Sequence, residues 1–510
     1  MDKRTLAIIV ISTAVFLGWQ KFYVEPNAQK AAVEAAQVQS APAAIAAPKT
    51  ENQVTTKKTL TLDSSQARIE TPNSSYWVSN WKLNQYKTSI ANDSAQIDLK
   101  SVTNFDESIQ IALDDQEYSY LPTVLGSLTQ TEKGSVWTYE DTNLKITREL
   151  TPNSGVLNAK IKAEFKGSKK PKFLFVLLKS QLVEKDEEER DRLLAMWTGD
   201  KIERFHLNDT IEVKEFPLAT KWIAGIGHYF LVSIVNDSSI TARGLIQPMG
   251  GKAAQAGLVF PIQGNSIEIP LRVYFGPKDL MALRAFEPTL DHTVDFGMFT
   301  VVAYPLLRVM NWLYLFTKNY GLAIIFLTIL IKIITYPLTY KSMKSMKEMA
   351  KLQPQIEKLK KKYENDKEAL NREMLSLMKT SNANPMMGCI PMLIQMPVFF
   401  ALYQVLYNSV ELYQTPFFFW IRDLSVKDPL YITPVLLTGS MWLQQKMTPT
   451  TSTDPVQQKM MQFMPVIFGA MMVTLPSGLT LYMLTNALVS IIQQMALNKK
   501  LGPNQQPVKA

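Results

Sequence analysis

Residues Tyr320–Thr339 read YGLAIIFLTILIKIITYPLT, an almost wholly apolar stretch that carries one charged residue, Lys332. About 20 residues at 1.5 Å each make a helix of roughly 30 Å, the thickness of one bilayer core. The stretch therefore predicts a transmembrane helix and an integral membrane protein. A charge at the membrane centre costs about 2.5–3.5 kcal/mol on insertion scales, so the position of Lys332 requires a physical explanation.

The sequence on either side of this stretch predicts a helical membrane bundle. Four further apolar stretches follow, at residues 386–406, 431–443, 462–475 and 479–497. The last two are separated by PSG, which predicts a tight turn, and the shortness of residues 462–475 predicts that the bundle thins the bilayer. Upstream, residues 298–317 place Tyr304, Arg308 and Asn311 on one face of a helix. That pattern favours an amphipathic helix lying in the membrane surface, and a spanning helix is the alternative.

The N-terminal half predicts an anchor followed by a large β domain. Residues 1–24 begin MDKR and continue into about 20 mostly apolar residues, so we predict a transmembrane anchor, with a cleaved signal peptide as the alternative. Residues 25–56 are rich in Ala, Pro and Gln and predict a flexible linker. Apolar and polar residues then alternate at 157–166 and 267–275, while KFLFVLL at 172–178 predicts a strand buried on both faces. We predict a β-sandwich over residues 57–297, closed by a short helix within residues 277–287.

The distribution of charge predicts which side of the membrane each part faces. Of the formal net charge of +9, residues 1–24 carry +2 and residues 25–297 carry −4, which leaves +11 for residues 298–510. The loop at residues 340–385 holds 11 Lys/Arg against 6 Asp/Glu, while residues 411–429 hold 2 against 3. The positive-inside rule then places the first loop, and both termini of a six-span chain, in the cytoplasm. A net positive charge concentrated in the membrane half does not predict a DNA-binding surface.

The residue types in the apolar half exclude several kinds of chemistry. The chain has one cysteine, Cys389, and its three histidines all precede residue 298. The five C-terminal apolar stretches contain no Asp, Glu or His, the residues on which ion-coupled transport and intramembrane proteolysis usually depend. We therefore predict no catalytic site, no metal site and no cofactor, and a protein that is not an enzyme.

Lys332 instead predicts a polar cavity within the bundle. Thr328 lies one helical turn before it and Thr335 one turn after, which forms a polar stripe. We favour a hydrated cavity open to the cytoplasm, and the alternative is a lysine that snorkels to the membrane surface. Gln395, Thr485 and Asn486 are candidates for the other walls, although each alone more often makes only a hydrogen bond between helices.

The basic loop predicts a helical hairpin over residues 341–385, with Ile356, Leu359, Leu370, Met374 and Leu377 as its apolar seam. Two sets of residues in the hairpin are candidates for recruiting a partner. Methionines at a spacing of three adapt to irregular apolar partners, and a cluster of lysines suits anionic lipid or ribosomal RNA. These residues are Met343, Met346, Met349, Lys360, Lys361 and Lys362. The alternative is a hairpin that packs only against itself.

Three strings in the apolar half identify a family resemblance. They are NPMMGCIPMLIQMPVFFALYQVL at 384–406, TPTTSTDPVQQKMMQFMPVIF at 448–468 and PSGLTLYMLTNALVSIIQQ at 476–494. They closely resemble the YidC family of membrane protein insertases, relatives of the mitochondrial Oxa and chloroplast Albino proteins. The anchor and β domain resemble the Gram-negative form of the family. That form is a multi-domain membrane protein with an N-terminal transmembrane anchor, a periplasmic β-supersandwich and a C-terminal five-helix transmembrane bundle that carries a cytoplasmic helical hairpin.

The resemblance implies a function and a set of partners. It implies an insertase of the bacterial inner membrane that takes nascent membrane proteins from the cytoplasm through a polar groove into the phospholipid bilayer, alone or beside the Sec translocon. The cytoplasmic loops would meet the ribosome and a targeting receptor. Lys332 stands where the family usually has arginine, and Thr328, Gln395 and Tyr482 fall on groove or exit-path positions. The competing classes are a solute channel or transporter, and a periplasmic receptor with a signalling bundle.

These inferences divide the chain into six segments. They are the anchor at 1–24, the linker at 25–56, the periplasmic β-sandwich domain at 57–297, the interfacial helix at 298–317, the insertase bundle at 318–497 and a cytoplasmic tail at 498–510.

Overall fold

The computed structural model describes residues 58–501, except residues 65, 92–93, 106, 115–123, 154, 168–169, 183–191, 364–365, 381–389 and 449–454. The predicted anchor, the linker and nearly all of the C-terminal tail lie outside the described residues, as does the NPMMGC part of the first family string. The described chain consists of a β domain followed by a helical bundle.

The β domain is built from two antiparallel sheets. Its strands are β1 (Thr59–Asp63), β2 (Ala67–Pro72), β3 (Asn80–Lys87), β4 (Gln96–Asp98), β5 (Ile109–Leu113), β6 (Ser127–Thr131), β7 (Gly134–Glu140), β8 (Leu144–Asn153), β9 (Val156–Phe165), β10 (Phe173–Gln181), β11 (Leu193–Thr198), β12 (Lys201–His206), β13 (Lys214–Ile226), β14 (Phe230–Asn236), β15 (Arg243–Gly250), β16 (Ala253–Pro261) and β17 (Ser266–Pro277). Among the described residues, β1 to β4 form the small sheet, and the large sheet runs β5-β10-β16-β15-β13-β14-β17-β9-β8-β7-β6, with β11 and β12 attached beside β13.

The predicted strand patterns are confirmed in detail. In β9 the apolar set Leu157, Ala159, Ile161, Ala163 and Phe165 is buried, and its polar alternates are not. The second alternating run forms β17, which pairs directly with β9 in antiparallel register. The central part of β10 is buried on both faces. Leu174, Val176 and Leu178 pack in the main core, while Phe175 and Leu177 pack with Leu245 and Val259 on the opposite face.

One buried cation joins the two sheets. Arg148 on β8 is fully buried, and its guanidinium donates to the carbonyl oxygens of Pro72 at 3.2 Å, Ser74 at 3.1 Å and Tyr76. It also lies over the ring of Trp137. Burial lowers the pKa of Arg148 to about 9, so the side chain remains cationic at neutral pH.

The short helix α1 (Leu99–Thr103) follows β4, and α2 (Leu280–Phe286) follows β17 as the sequence predicts. The Asp279 carboxylate caps α2 by accepting from the Ala282 amide at 2.7 Å, which satisfies one of the free N–H groups of its first turn.

The helical bundle comprises seven further helices within the described residues. They are α3 (Thr300–Thr317), α4 (Tyr320–Lys362), α5 (Lys367–Thr380), α6 (Ile390–Asn408), α7 (Ile432–Met447), α8 (Pro455–Met472) and α9 (Ser477–Leu501). Two of the predicted spans lie within longer helices. The apolar stretch at residues 320–339 continues without a break into the first helix of the basic loop and ends at Lys362, because that segment is also made largely of good helix formers. Most of the stretch at residues 462–475 lies in an 18-residue helix, Pro455–Met472, which is longer than the 14 residues predicted, so thinning of the bilayer stays a prediction.

Within the described residues, three helical stretches are long and apolar enough to cross a membrane: Gly297–Thr317, Tyr320–Lys362 and Ser477–Lys499. Helix α3 therefore has the length and composition of a span, while the sequence favours an interfacial position. Its buried side carries Ala303, Leu307 and Met310, and Arg308 is exposed. Its orientation in the membrane stays a prediction.

The β domain packs against one end of the bundle. His228, in the turn between β13 and β14, lies 2.8 Å from the carbonyl oxygen of Tyr407 near the end of α6. Tyr413 donates its hydroxyl to the carbonyl oxygen of Lys87 at the end of β3. The β domain thus contacts both the end of α6 and the segment that follows it.

We expect the β domain to fold without the bundle, because its strands supply their own core. Residues 57–297 expressed alone should be soluble. Their unfolding in urea, measured by circular dichroism, should show a single cooperative transition. An aggregated fragment, or one with no cooperative transition, would show that the domain depends on the bundle for its core.

Candidate functional site

Lys332 lies on α4 with its side chain directed toward α9. Its ammonium group donates to the hydroxyl oxygen of Ser490 at 2.7 Å. Ser490 in turn donates its own hydrogen to the carbonyl oxygen of Asn486 at 2.7 Å, which leaves its lone pairs facing the lysine. The Gln493 amide donates to the backbone carbonyl oxygen of Lys332 at 3.2 Å. Two helices are therefore joined by polar contacts around the cation.

A cavity of about 460 Å³ opens beside Lys332, between α4, α6, α7 and α9. Its walls are mainly hydroxyl and amide side chains, and none of them is acidic. The lining residues are Lys332, Thr335, Leu338, Thr339, Ser342, Met343, Met346, Gln395, Gln444, Thr448, Asn486, Ser490, Gln493, Gln494 and Leu497. Such a wall offers hydrogen bonds without supplying a counter-charge to Lys332.

Two buried polar atoms at this cavity indicate water. The side-chain oxygens of Ser342 and Asn486 have no hydrogen-bond partner among the described residues. Buried polar atoms are usually satisfied by protein or by ordered water, and the cavity is large enough to hold several water molecules. The hydrated character that the sequence predicts for this place is consistent with these two atoms.

The structure brings together half of the predicted groove residues. Lys332, Gln395 and Asn486 line the cavity. Tyr482 lies behind that wall, buried, and its hydroxyl accepts from the Gln395 amide at 3.2 Å. Thr328 and Thr485 are buried elsewhere.

The last two threonines make contacts typical of structural residues. Thr328 donates to the carbonyl oxygen of Ile324 at 2.7 Å, and Thr485 donates to that of Leu481 at 2.8 Å. Neither side chain lines the cavity beside Lys332. Both hydroxyls are already satisfied within their own helices.

Sequence reasoning missed several wall residues on α9. Ser490, Gln493 and Gln494 all line the cavity. A signal was present, because Asn486, Ser490 and Gln493 recur at i, i+4 and i+7 and so lie on one helical face. On α4, residues at i, i+3, i+7 and i+10 likewise lie on one helical face: Lys332, Thr335, Thr339 and Ser342.

The candidate recruitment residues separate into two groups. Met343 and Met346 line the cavity, whereas Met349 is buried in the hairpin seam with Leu352 and Ile356, against Met374 and Leu377 of α5. The predicted hairpin and most of its seam are thereby confirmed. Lys360, Lys361 and Lys362 are exposed at the end of α4.

The cavity therefore continues into a methionine-lined segment of α4. Of the three methionines, Met349 packs inside the hairpin and presents little surface to a partner. The lysine cluster remains accessible, and it is the part of the hairpin that an anionic partner could contact. Within the described residues, no group of three His, Cys, Asp or Glu side chains is placed to hold a metal ion.

Comparisons with known proteins point to one family. The family model for the YidC periplasmic domain matches residues 59–309, and the model for the 60Kd inner membrane protein matches residues 312–504. The membrane protein insertase YidC of Maridesulfovibrio salexigens is 31% identical over 98% of this chain and 99% of the relative.

Other relatives match over a smaller part of the chain. The membrane protein insertase YidC of Geotalea daltonii is 44% identical over 308 residues, which cover 59% of this chain and 58% of the relative. The matched part of the chain thus spans little more than half the length of that relative. A solved structure described as an active YidC insertase with the first transmembrane domain resolved is 21% identical, with a TM-score of 0.39 over 86% of this chain and 92% of that chain.

Proposed function

Because the chain belongs to the YidC family of membrane protein insertases, we propose that it takes hydrophobic segments from the cytoplasm through the cavity beside Lys332 into the lipid bilayer. The observation that carries the proposal is a cation in the apolar half of the chain that has no acidic partner among the described residues and borders a polar cavity. A charge in such a place is costly, and an insertase uses it to receive substrates.

The side chains that line the cavity are suited to transient contact with a polar segment of the substrate. Ser490 occupies one of the three ammonium N–H donors of Lys332, which leaves donors for water or a carboxylate in the substrate. Hydroxyl and amide walls reduce the cost of moving a polar flank out of bulk water. A substrate whose leading segment is acidic would gain a direct attraction, and its own apolar helix would then be stabilised in lipid.

Lysine differs from the family's usual arginine at this position. Lysine is a compact point charge, and it lacks the planar fork that holds a carboxylate through two hydrogen bonds. We propose that Lys332 attracts acidic substrate segments without fixing their orientation. A cation of this kind favours passage of the substrate through the cavity over its retention there.

The partners and location follow from the same proposal. Nascent membrane proteins would be the substrates, with the Sec translocon beside the bundle for larger ones. The ribosome and a targeting receptor would meet the exposed lysines at the end of α4. The protein would reside in the bacterial inner membrane with its termini in the cytoplasm and its β domain in the periplasm, and it would carry out no enzymatic reaction and need no cofactor.

Reconstitution tests the proposal against the competing classes. Purified full-length protein in liposomes should protect a newly synthesised small membrane protein from added protease, whereas empty liposomes should not. A solute channel would instead release an encapsulated dye without protecting the substrate. A receptor would do neither, and either of these results would refute the insertase function.

We expect cysteine labelling to fix the orientation of the bundle. In a Cys389→Ser background, a cysteine at Lys361 should react with an impermeant maleimide only from the cytoplasmic side, and one at Arg422 only from the periplasmic side. Both native side chains are exposed, whereas the neighbouring Asp423 is buried and would label poorly. Labelling of position 361 from the periplasmic side would contradict the topology.

A further inference from the structure

The loop between α6 and α7 carries an exposed aromatic ridge. We call residues Thr415–Tyr431 the outer loop, since the charge pattern places it on the periplasmic side. Phe419 is 91% exposed, Leu430 is 59% exposed, and Phe418, Val426 and Tyr431 are also exposed. These five apolar side chains, the aromatic ridge, are exposed on a loop where polar residues would be expected in water.

Hydrogen bonds to the bundle hold the outer loop in place. Gly478 donates its amide to the carbonyl oxygen of Leu424 at 2.8 Å, and Ser477 donates its amide to that of Val426 at 2.7 Å. The Asn319 side-chain amide donates to the carbonyl oxygen of Pro416 at 3.5 Å. These contacts join the loop to the starts of α4 and α9, so the ridge projects from a fixed base.

The backbone of the ridge is strained where its most exposed ring lies. Phe419 has a φ of +58° and Tyr431 a φ of +57°. Bulky residues rarely adopt this left-handed region, which asparagine and glycine tolerate better. A phenylalanine at this position is less favourable than asparagine unless its exposed ring contacts an apolar phase.

The acidic side chains of the outer loop are buried, whereas its basic side chains are exposed. Asp423 and Asp428 are 6% and 1% exposed, and their carboxylates accept hydrogen bonds from Ser425 and Thr433 within the protein. Arg422 and Lys427 are exposed, with no carboxylate partner among the described residues. The loop has as many acidic as basic residues, but because only the basic ones are exposed it presents a cationic outer surface beside its aromatic ridge.

We propose that the outer loop inserts its aromatic ridge into the periplasmic leaflet, with Phe419 as the anchor and with Arg422 and Lys427 binding lipid phosphates. Helices α4, α7 and α9 all begin beside this loop, which places it at the level where the apolar part of the bundle ends. Aromatic residues favour that interfacial level, and lysine and arginine favour anionic headgroups there. The anchor fixes the depth of the bundle independently of the cavity beside Lys332.

The experiment uses full-length Cys389→Ser protein with a fluorescent label on a cysteine at Val426, in vesicles of phosphatidylglycerol and phosphatidylethanolamine. Lipids brominated on their acyl chains should quench this label strongly, while a label at Glu132, exposed in the turn between β6 and β7, should be unaffected. Phe419→Leu should keep the quenching because it keeps an apolar side chain. Phe419→Asn should lose most of it while relieving the strain.

The cations have a separate readout. With bromine carried only by phosphatidylglycerol, the double variant Arg422→Gln and Lys427→Gln should be quenched less than the parent. Equal quenching of parent and Phe419→Asn, or none in the parent, would overturn the proposal. Protection of the label only after another membrane protein is added to the vesicles would also overturn it and identify that protein as the occupant.

Discussion

Lys332→Glu is expected to abolish insertion of substrates whose leading segment is acidic, while Lys332→Arg retains it. Two unit charges about 6 Å apart at an effective dielectric constant near 20 interact by about 3 kcal/mol. Reversing the sign of the cation turns that attraction into repulsion, a change of roughly a hundredfold or more in the rate of insertion. Insertion of paired substrates, one acidic and one neutral at the leading end, measures the effect.

Lys332→Leu separates charge from structure. The variant should fold at least as well as the parent, because it avoids an insertion cost of about 2.5–3.5 kcal/mol, and Ser490 keeps its bond to Asn486. It should lose insertion mainly for the acidic substrate. Equal loss on both substrates would assign Lys332 a hydrating or structural role, and no loss on either would support a lysine that merely snorkels.

Arg148→Met is expected to destabilise the β domain more than any exposed substitution. The change removes the donors for the carbonyl oxygens of Pro72, Ser74 and Tyr76. Leaving a buried acceptor unpaired costs about 1–3 kcal/mol, so the loss of all three bonds should lower the free energy of unfolding by at least about 3 kcal/mol. Urea denaturation of residues 57–297 followed by tryptophan fluorescence provides the measurement.

Lys160→Met is the matched control for this prediction. Lys160 lies on β9, next to β8 in the same sheet, and its ammonium is paired with Glu268 on the surface at 2.7 Å. Its loss should leave the midpoint of denaturation almost unchanged, because exposed ion pairs contribute little. A similar shift for both variants would show that the bonds of Arg148 have no special role in joining the sheets.

The period of apolar residues predicted most of the β domain. Alternation at 157–166 and at 267–275 identified β9 and β17 and their buried faces correctly. The order of strands could not be predicted, because β10 lies between β5 and β16 through contacts distant in sequence. Arg148 also gave no signal, since one arginine in an alternating strand is usually exposed.

The cavity was predicted from one intramembrane charge, and its walls only in part. Lys332 identified the place because burial of a charge is costly wherever it occurs. Two of the candidates, Gln395 and Asn486, line the cavity. Ser490 was missed, since a serine in an apolar helix is more often bonded within that helix. Its contact with Lys332 depends on how α4 and α9 pack together, which periodicity alone does not determine.

Photocrosslinking of a stalled nascent membrane protein tests most directly whether substrates pass through this cavity. A photoreactive residue at Gln493, which lines the cavity, should crosslink to the stalled chain. The same residue at Ile492, which is adjacent in sequence but 64% exposed and outside the cavity wall, should not. Crosslinks of equal strength from both positions, or from Ile492 alone, would contradict passage through the cavity beside Lys332.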